Sequence, residues 1–134
     1  MITAFTSKDF TRRMERAVDQ AVEAGLTGLL VTPGPDLTYF TGYKPTAITE
    51  RLTMLILDAD HDPHLIVPVL ERPDAVGAAG ASALTITGWA DGSDPYASAS
   101  RLLDPVGRYA ISDSAWAMHL LGCRRRCPGR RTRR

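Results

Sequence analysis

Cysteine is nearly absent from this 134-residue chain, and the two present, Cys123 and Cys127, lie together near the C-terminus. A disulfide framework holding the body of the fold is therefore excluded, and two thiols are too few for a structural zinc site. Long apolar runs are also missing. No stretch approaches the roughly 18 residues that a membrane-spanning helix needs. The N-terminus lacks the basic-then-apolar layout of a secretory signal, so the expected location is the cytoplasm, with no membrane partner. Aromatic residues make up only 7% of the chain. No Gly-x-Ser-x-Gly elbow, Gly-rich phosphate loop or Cys-x-x-Cys pair occurs, which removes the usual sequence signatures of serine hydrolases, nucleotide binders and dithiol redox proteins.

What is present suits one modest globular domain: 44% hydrophobic and 23% charged residues. The net charge of +1 hides two unlike segments. Residues 1–121 hold all 15 acidic groups and 9 Lys or Arg, giving 9 − 15 = −6, whereas residues 122–134 contribute +7. The latter segment has no aliphatic or aromatic side chain and reads as a disordered Arg-rich tail. Clustered guanidinium groups neutralise phosphates, so non-specific, salt-sensitive adhesion to nucleic acid is expected of it. It carries no aromatic residue for stacking bases.

Hydrophobic periodicity orders the rest. Residues 7–25 place Phe10, Met14, Ala17, Val18, Ala21 and Val22 on one side of a helix. Thr6 or Ser7 is suited to its start, and Gly25 to its end. A short buried strand follows over 26–32, stopped by Pro33-Gly34-Pro35. Asp36 then caps a short helix through Tyr39. Apolar segments 52–57 and 65–69 flank the polar turn 58–64, the pattern of an antiparallel hairpin. Pro68 cannot donate to a ladder, so its strand should lie at an edge or end near it. Beyond it, helices are expected over 71–81, 95–103 and 114–121, and strands over 84–88 and 108–112. The alternation predicts an α/β fold, a mixed sheet with flanking helices.

The candidate chemistry is sparse. Asp58, Asp60 and Asp62 imitate the start of a calcium loop, but Pro63 stands where a Gly is needed and Val69 where a bidentate Glu is needed, so a solvated turn is expected. His61 and His64 share that turn without a third ligand. Ser112, Asp113, Ser114 and His119 have the residue types of a nucleophilic triad, yet sequence neighbours seldom line up as one. Asp113 or Ser114 reads instead as a helix cap, and His119 as a histidine with no evident partner.

The run from Gly28 to Tyr43 contains a strand, a Pro-Gly-Pro turn and Tyr39-Phe40-Thr41-Gly42-Tyr43. With Glu50-Arg51-Leu52 and the hairpin ending Val67-Pro68, it resembles the N-terminal domain of creatinase/prolidase metallopeptidases over residues 5–121. The resemblance implies a ribonuclease-H-like fold. It also implies a separate catalytic domain in which two divalent metal ions hold the hydroxide that attacks an Xaa-Pro bond; none of those ligands is carried over, and no cofactor is expected in this chain. The implied role is non-catalytic: homodimer contacts and a wall for an active site that meets peptide substrate only with a catalytic domain. The wall candidates are Tyr39, Tyr43 and Arg51, with Tyr39 read as mainly core and Arg51 able to pair a substrate carboxylate. Family members continue past residue 121 with a further strand, whereas the Arg, Cys, Gly and Pro-rich end here is what an out-of-frame reading of a GC-rich gene yields. The domain is accordingly expected to be a truncated piece, inactive alone. The rival expectations are a free-standing protein- or ligand-binding module using the loop from Pro33 to Pro45, and a nucleic-acid binder acting through the Arg-rich tail.

Overall fold

The computed structural model describes residues 4–45 and 51–126. Helix α1 spans Ser7–Glu23 and buries Phe10, Met14 and Ala21, the stripe that the 3.6-residue period selects. The backbone N–H and hydroxyl of Thr6 both donate to Asp9 Oδ2, at 2.7 and 3.1 Å, and hold the carboxyl of Asp9 below its usual pKa. At the other end Gly25 takes φ +79°, its N–H reaching the carbonyl of Val22 while that of Leu26 reaches Ala21. This paired closure satisfies two of the helix's last carbonyls and turns the chain into the sheet.

Strand β1 is Gly28–Val31, and helix α2, Pro35–Thr41, follows it directly. Strands β2 (Met54–Asp58) and β3 (His64–Pro68) form the expected antiparallel hairpin. Asp58 closes its turn: Oδ1 accepts from the N–H groups of Asp60 and His61 at 2.9 and 2.8 Å. Pro68 is the last residue of β3, so its missing N–H falls at a strand end even though β3 is an inner strand.

The segment expected as one helix over 71–81 is instead broken into a 3₁₀ turn (Val69–Glu71), helix α3 (Arg72–Val76) and a second 3₁₀ turn (Ala81–Ala83). A tertiary contact causes the break. The N–H of Gly80 donates to the carbonyl of Thr41 at 3.0 Å, and a Cβ on Gly80 would lie 2.6 Å from that oxygen and 2.9 Å from the ring of Phe10. The chain must straighten there to let the backbones meet. Strand β4 (Thr85–Trp89), helix α4 (Pro95–Ser100), strand β5 (Tyr109–Ile111) and helix α5 (Ala117–Arg126) complete the fold.

The sheet order is β4-β3-β2-β1-β5, with β1 and β3 antiparallel to β2, and β5 and β4 parallel to β1 and β3. Alternation along the strands divides the core into two layers. Val31, Leu55, Leu57, Leu65 and Val67 face Phe10, Met14, Leu37 and Ala75, on the side of α1, α2 and α3. Leu30, Met54, Ile56 and Ile66 face Trp89, Ala99, Leu103 and Cys123, on the side of α4 and α5. With both faces covered, β2 and the apolar part of β3 are buried throughout.

Helix α5 runs past the boundary placed at residue 121. It continues through Arg126, and Cys123, only 3% exposed, packs in the second core layer. A thiol behaves as a small hydrophobe, and arginine is a good helix former, so Gly122–Arg126 extends the helix despite having no aliphatic side chain. Residues 127–134, the remainder of the expected tail, lie outside the described residues.

Candidate functional site

The strand directions gather the C-terminal ends of β1, β3, β4 and β5 and the start of β2 at one edge of the sheet. Loops at such an edge are where open α/β sheets present ligand-facing groups. Two of these loops are laced together: Ser112 Oγ accepts from the N–H of Thr32 at 3.0 Å and lies 3.0 Å from Thr32 Oγ1. Ser114 Oγ donates to the carbonyl of Pro33 at 3.5 Å. Ser112 and Ser114 thus tie β5 to β1, and the cap expected at Asp113 or Ser114 is not made, because α5 begins only at Ala117 after a turn closed by Ala115 N–H on the Ser112 carbonyl.

Arg51, just ahead of β2, places Nη2 3.2 Å from Asp91 Oδ2, beyond the end of β4. Both side chains are about half exposed or more, so the pair adds little to stability and leaves the guanidinium free to exchange partners. Beneath it sits Glu71, whose Oε2 is buried without a hydrogen-bond partner. Burial raises its pKa; the charge of Arg51 opposes that rise and Asp74 adds to it. Tyr43 completes the group. It is 4% exposed, and burial, aided by Glu71 and Asp74, pushes its phenol up to about 12, so it stays a neutral hydroxyl at physiological pH.

Among the wall candidates, then, the structure brings Tyr43 and Arg51 to one acidic rim and sets Tyr39 apart. Tyr39 was expected in the core but is 46% exposed on the outer side of α2. The guanidinium of Arg13 lies 4.4 Å from its ring centroid, and Arg13 Nη1 donates to its carbonyl at 2.8 Å. The cause is Gly42, whose φ of +72° ends α2 between the two tyrosines and turns Tyr43 inward. Thr41 Oγ1 then accepts the N–H of Tyr43 at 3.0 Å. Glu71 and Asp91 were missed by sequence reading, because each follows a strand in an ordinary turn and belongs to no spaced motif.

The histidines have separate engagements. His61 Nδ1 lies 2.9 and 3.0 Å from the carboxylate oxygens of Asp58, and His64 Nε2 lies 2.7 Å from Thr87 Oγ1. His119 does have a partner: Nδ1 lies 2.8 Å from the hydroxyl of Tyr96 on α4. Among the described residues no three His, Cys, Asp or Glu side chains converge as a metal centre requires. Those described residues do not fit a two-metal site. No described helix is long and apolar enough to cross a membrane.

A mixed five-stranded sheet with helices on both faces and a polar rim at its strand ends defines a class of α/β domain. Comparison with known proteins specifies it further: residues 13–128 match the model of the Creatinase/Prolidase N-terminal domain, and the chain belongs to that family. It is 38% identical over 120 residues to the probable dipeptidase PepE of Mycobacterium tuberculosis, a match covering 87% of this chain and 32% of that protein. The chain therefore spans about a third of the length of the curated relatives it matches. The crystal structure of dipeptidase PepE from Mycobacterium ulcerans superimposes with a TM-score of 0.83 at 32% identity, covering 94% of this chain and 34% of that one. The N-terminal domain of an X-Pro dipeptidase from Streptococcus pyogenes gives a TM-score of 0.73, covering 86% of this chain and 87% of its own, and at 18% identity shares the fold.

Proposed function

We propose that this domain is the non-catalytic part of an Xaa-Pro dipeptidase- or aminopeptidase-like metallopeptidase, inactive alone, which supports dimerisation and walls the active site of a catalytic domain. A cytoplasmic location belongs to the same reading. The observation that carries it is the family match over nearly the whole described fold, with relatives at 38% identity that are dipeptidases three times as long. The rim supplies a physical means. Arg51 presents a planar, exposed cation at the strand ends, and its bond to Asp91 is weak enough to yield to a substrate carboxylate held bidentately. Tyr43, buried, and Glu71, partly buried beside Arg51, border the base from which it reaches.

The test has two arms. The purified 134-residue chain, given Xaa-Pro dipeptides and Mn²⁺, Co²⁺ or Zn²⁺, is expected to show no hydrolysis above the blank. Joined to the remaining two-thirds of a mycobacterial PepE in place of that protein's own matching segment, it is expected to support turnover. In that chimaera Arg51→Ala should raise KM about tenfold with kcat little changed, as loss of one charge-assisted contact to bound substrate predicts. Metal-dependent cleavage by the chain alone would sink the reading.

The arginine-rich end favours a second property, salt-sensitive adhesion to nucleic acid, because seven arginines fall within residues 124–134. Deleting residues 127–134 is expected to weaken retention on immobilised DNA at low salt; unchanged retention would assign the adhesion elsewhere.

A further inference from the structure

A large cavity of the described fold is lined by none of Tyr43, Arg51, Glu71 and Asp91. It is an open groove of about 1000 Å³ between the start of α1 and α2, walled by Phe5, Phe10, Pro35 and Tyr39. That volume is at the upper end of the range that small-molecule sites occupy. Exposed aromatic surface is costly to leave in water, and here it is concentrated: Phe5 is 62% exposed and Tyr39 46%. The two charged side chains among the described residues lining the groove are both positive. Lys44 stands at one end. Arg13 is held over the rings, with its guanidinium 4.2 Å from the centroid of Phe5, 5.2 Å from that of Phe10 and 4.4 Å from that of Tyr39. No acidic side chain is among the described residues lining the groove.

The arrangement of Arg13 is informative. Its bond to the Tyr39 carbonyl uses one of five N–H donors, and three aromatic rings lie close to the guanidinium. Its other N–H donors could take a carboxylate in the bidentate manner of guanidinium. Lys44 is exposed and supplies a second cation on a flexible stem. An apolar body between the rings with an anionic end at Arg13 and Lys44 would satisfy both features together. A neutral apolar molecule would satisfy one, and a cation would meet repulsion.

We infer that this groove is a binding site for a small apolar monocarboxylate, its hydrocarbon or aromatic body against Phe5, Phe10 and Tyr39 and its carboxylate on Arg13 and Lys44. The site is independent of the proposed dipeptidase role, since it uses neither the rim nor a catalytic domain. Its size suits a small molecule, and the two cations lining it, Arg13 and Lys44, set the sign of the ligand's charge.

The experiment titrates the full ¹⁵N-labelled chain with 4-phenylbutyrate and, separately, with 4-phenylbutyramide, which keeps the body and removes the charge. The acid is expected to bind saturably, with shifts centred on Phe5, Tyr39 and Lys44, and the amide about tenfold more weakly. Lys44→Met, at an exposed position, should leave the spectrum folded and erase most of that tenfold difference. Tyr39→Ala should weaken acid and amide alike. Equal binding of acid and amide, or binding of neither, would overturn the inference. So would binding of the peptide acid acetyl-Leu-Phe with none of phenylbutyrate, which would reassign the groove to a peptide C-terminus.

Discussion

Single side chains decide where α5 sits. The imidazole of His119 is 3% exposed, and its contact with the Tyr96 hydroxyl is a polar link between α5 and α4. Gly122, one turn further, lets the Tyr96 ring close in, since a Cβ there would stand 2.6 Å from it. Burial lowers the pKa of His119 from the ordinary 6.5. The unfolded chain therefore binds the proton more readily than the folded one, and stability is full above about pH 6.5 and declines as pH falls toward the folded value. His64 acts in the same direction, also through burial. Glu71, with a raised pKa, works the opposite way, favouring the fold as acid is added, but its window opens from 4.5 upward only as far as its own shift. Urea midpoints measured between pH 7.5 and 5.5 are accordingly expected to fall, with a shallower fall in His119→Gln. An unchanged slope in that variant would show that the buried imidazole does not titrate with unfolding. None of this was legible in the sequence, because Tyr96 and His119 are 23 residues apart and nothing in either segment signals the other.

At the scale of elements, what sequence revealed was what periodicity encodes. Helix α1 was legible from the spacing of its buried face and the β2–β3 hairpin from two apolar runs around a polar turn, and both were found to within a few residues. Where tertiary contact overrode local preference, sequence reading failed: α3 is cut short by the Gly80 approach to Thr41, and α5 is lengthened by the packing of Cys123. The candidate site divided in the same way. Arg51, Tyr39 and Tyr43 came as candidates from the family resemblance; Gly42, standing between the tyrosines, leaves Tyr39 exposed and Tyr43 buried, and Glu71 and Asp91 had no pattern to expose them. The α1 docking gives the direct test of this view of the core. Met14 is 1% exposed and packs in the same layer as Leu55, Leu57 and Leu65. Removing most of its side chain leaves a cavity under a helix that can relax only partly, so Met14→Ala should cost about 2–4 kcal/mol. Arg12→Ala, on the exposed face, is expected to change stability by no more than about 0.5 kcal/mol. Equal effects from the two, measured by urea unfolding, would mean that α1 is not seated on the sheet as described.

For the molecule as a whole, two different forces could bring copies together, and salt separates them. One is short-ranged. Strand β5 is an outer strand only three residues long, with β1 on one side and no strand on the other among the described residues. An open edge of that kind, together with apolar side chains exposed on α5 such as Met118 and Leu121, favours contact through backbone pairing and apolar burial. The other is charge. Residues 1–121 carry −6 and residues 122–134 carry +7, so the basic end of one copy is attracted to the body of another. That attraction fades once the Debye length shrinks from about 10 Å at 0.1 M salt to about 4–5 Å at 0.5 M, the square-root trend between 10 Å and 3 Å. The homodimer proposed for this domain belongs to the first kind. Light scattering should therefore give twice the 14.6 kDa chain mass at both 0.1 and 0.5 M NaCl. A mass that halves at 0.5 M would assign association to the charge asymmetry, and a mass of 14.6 kDa at both would leave dimerisation without support from this domain.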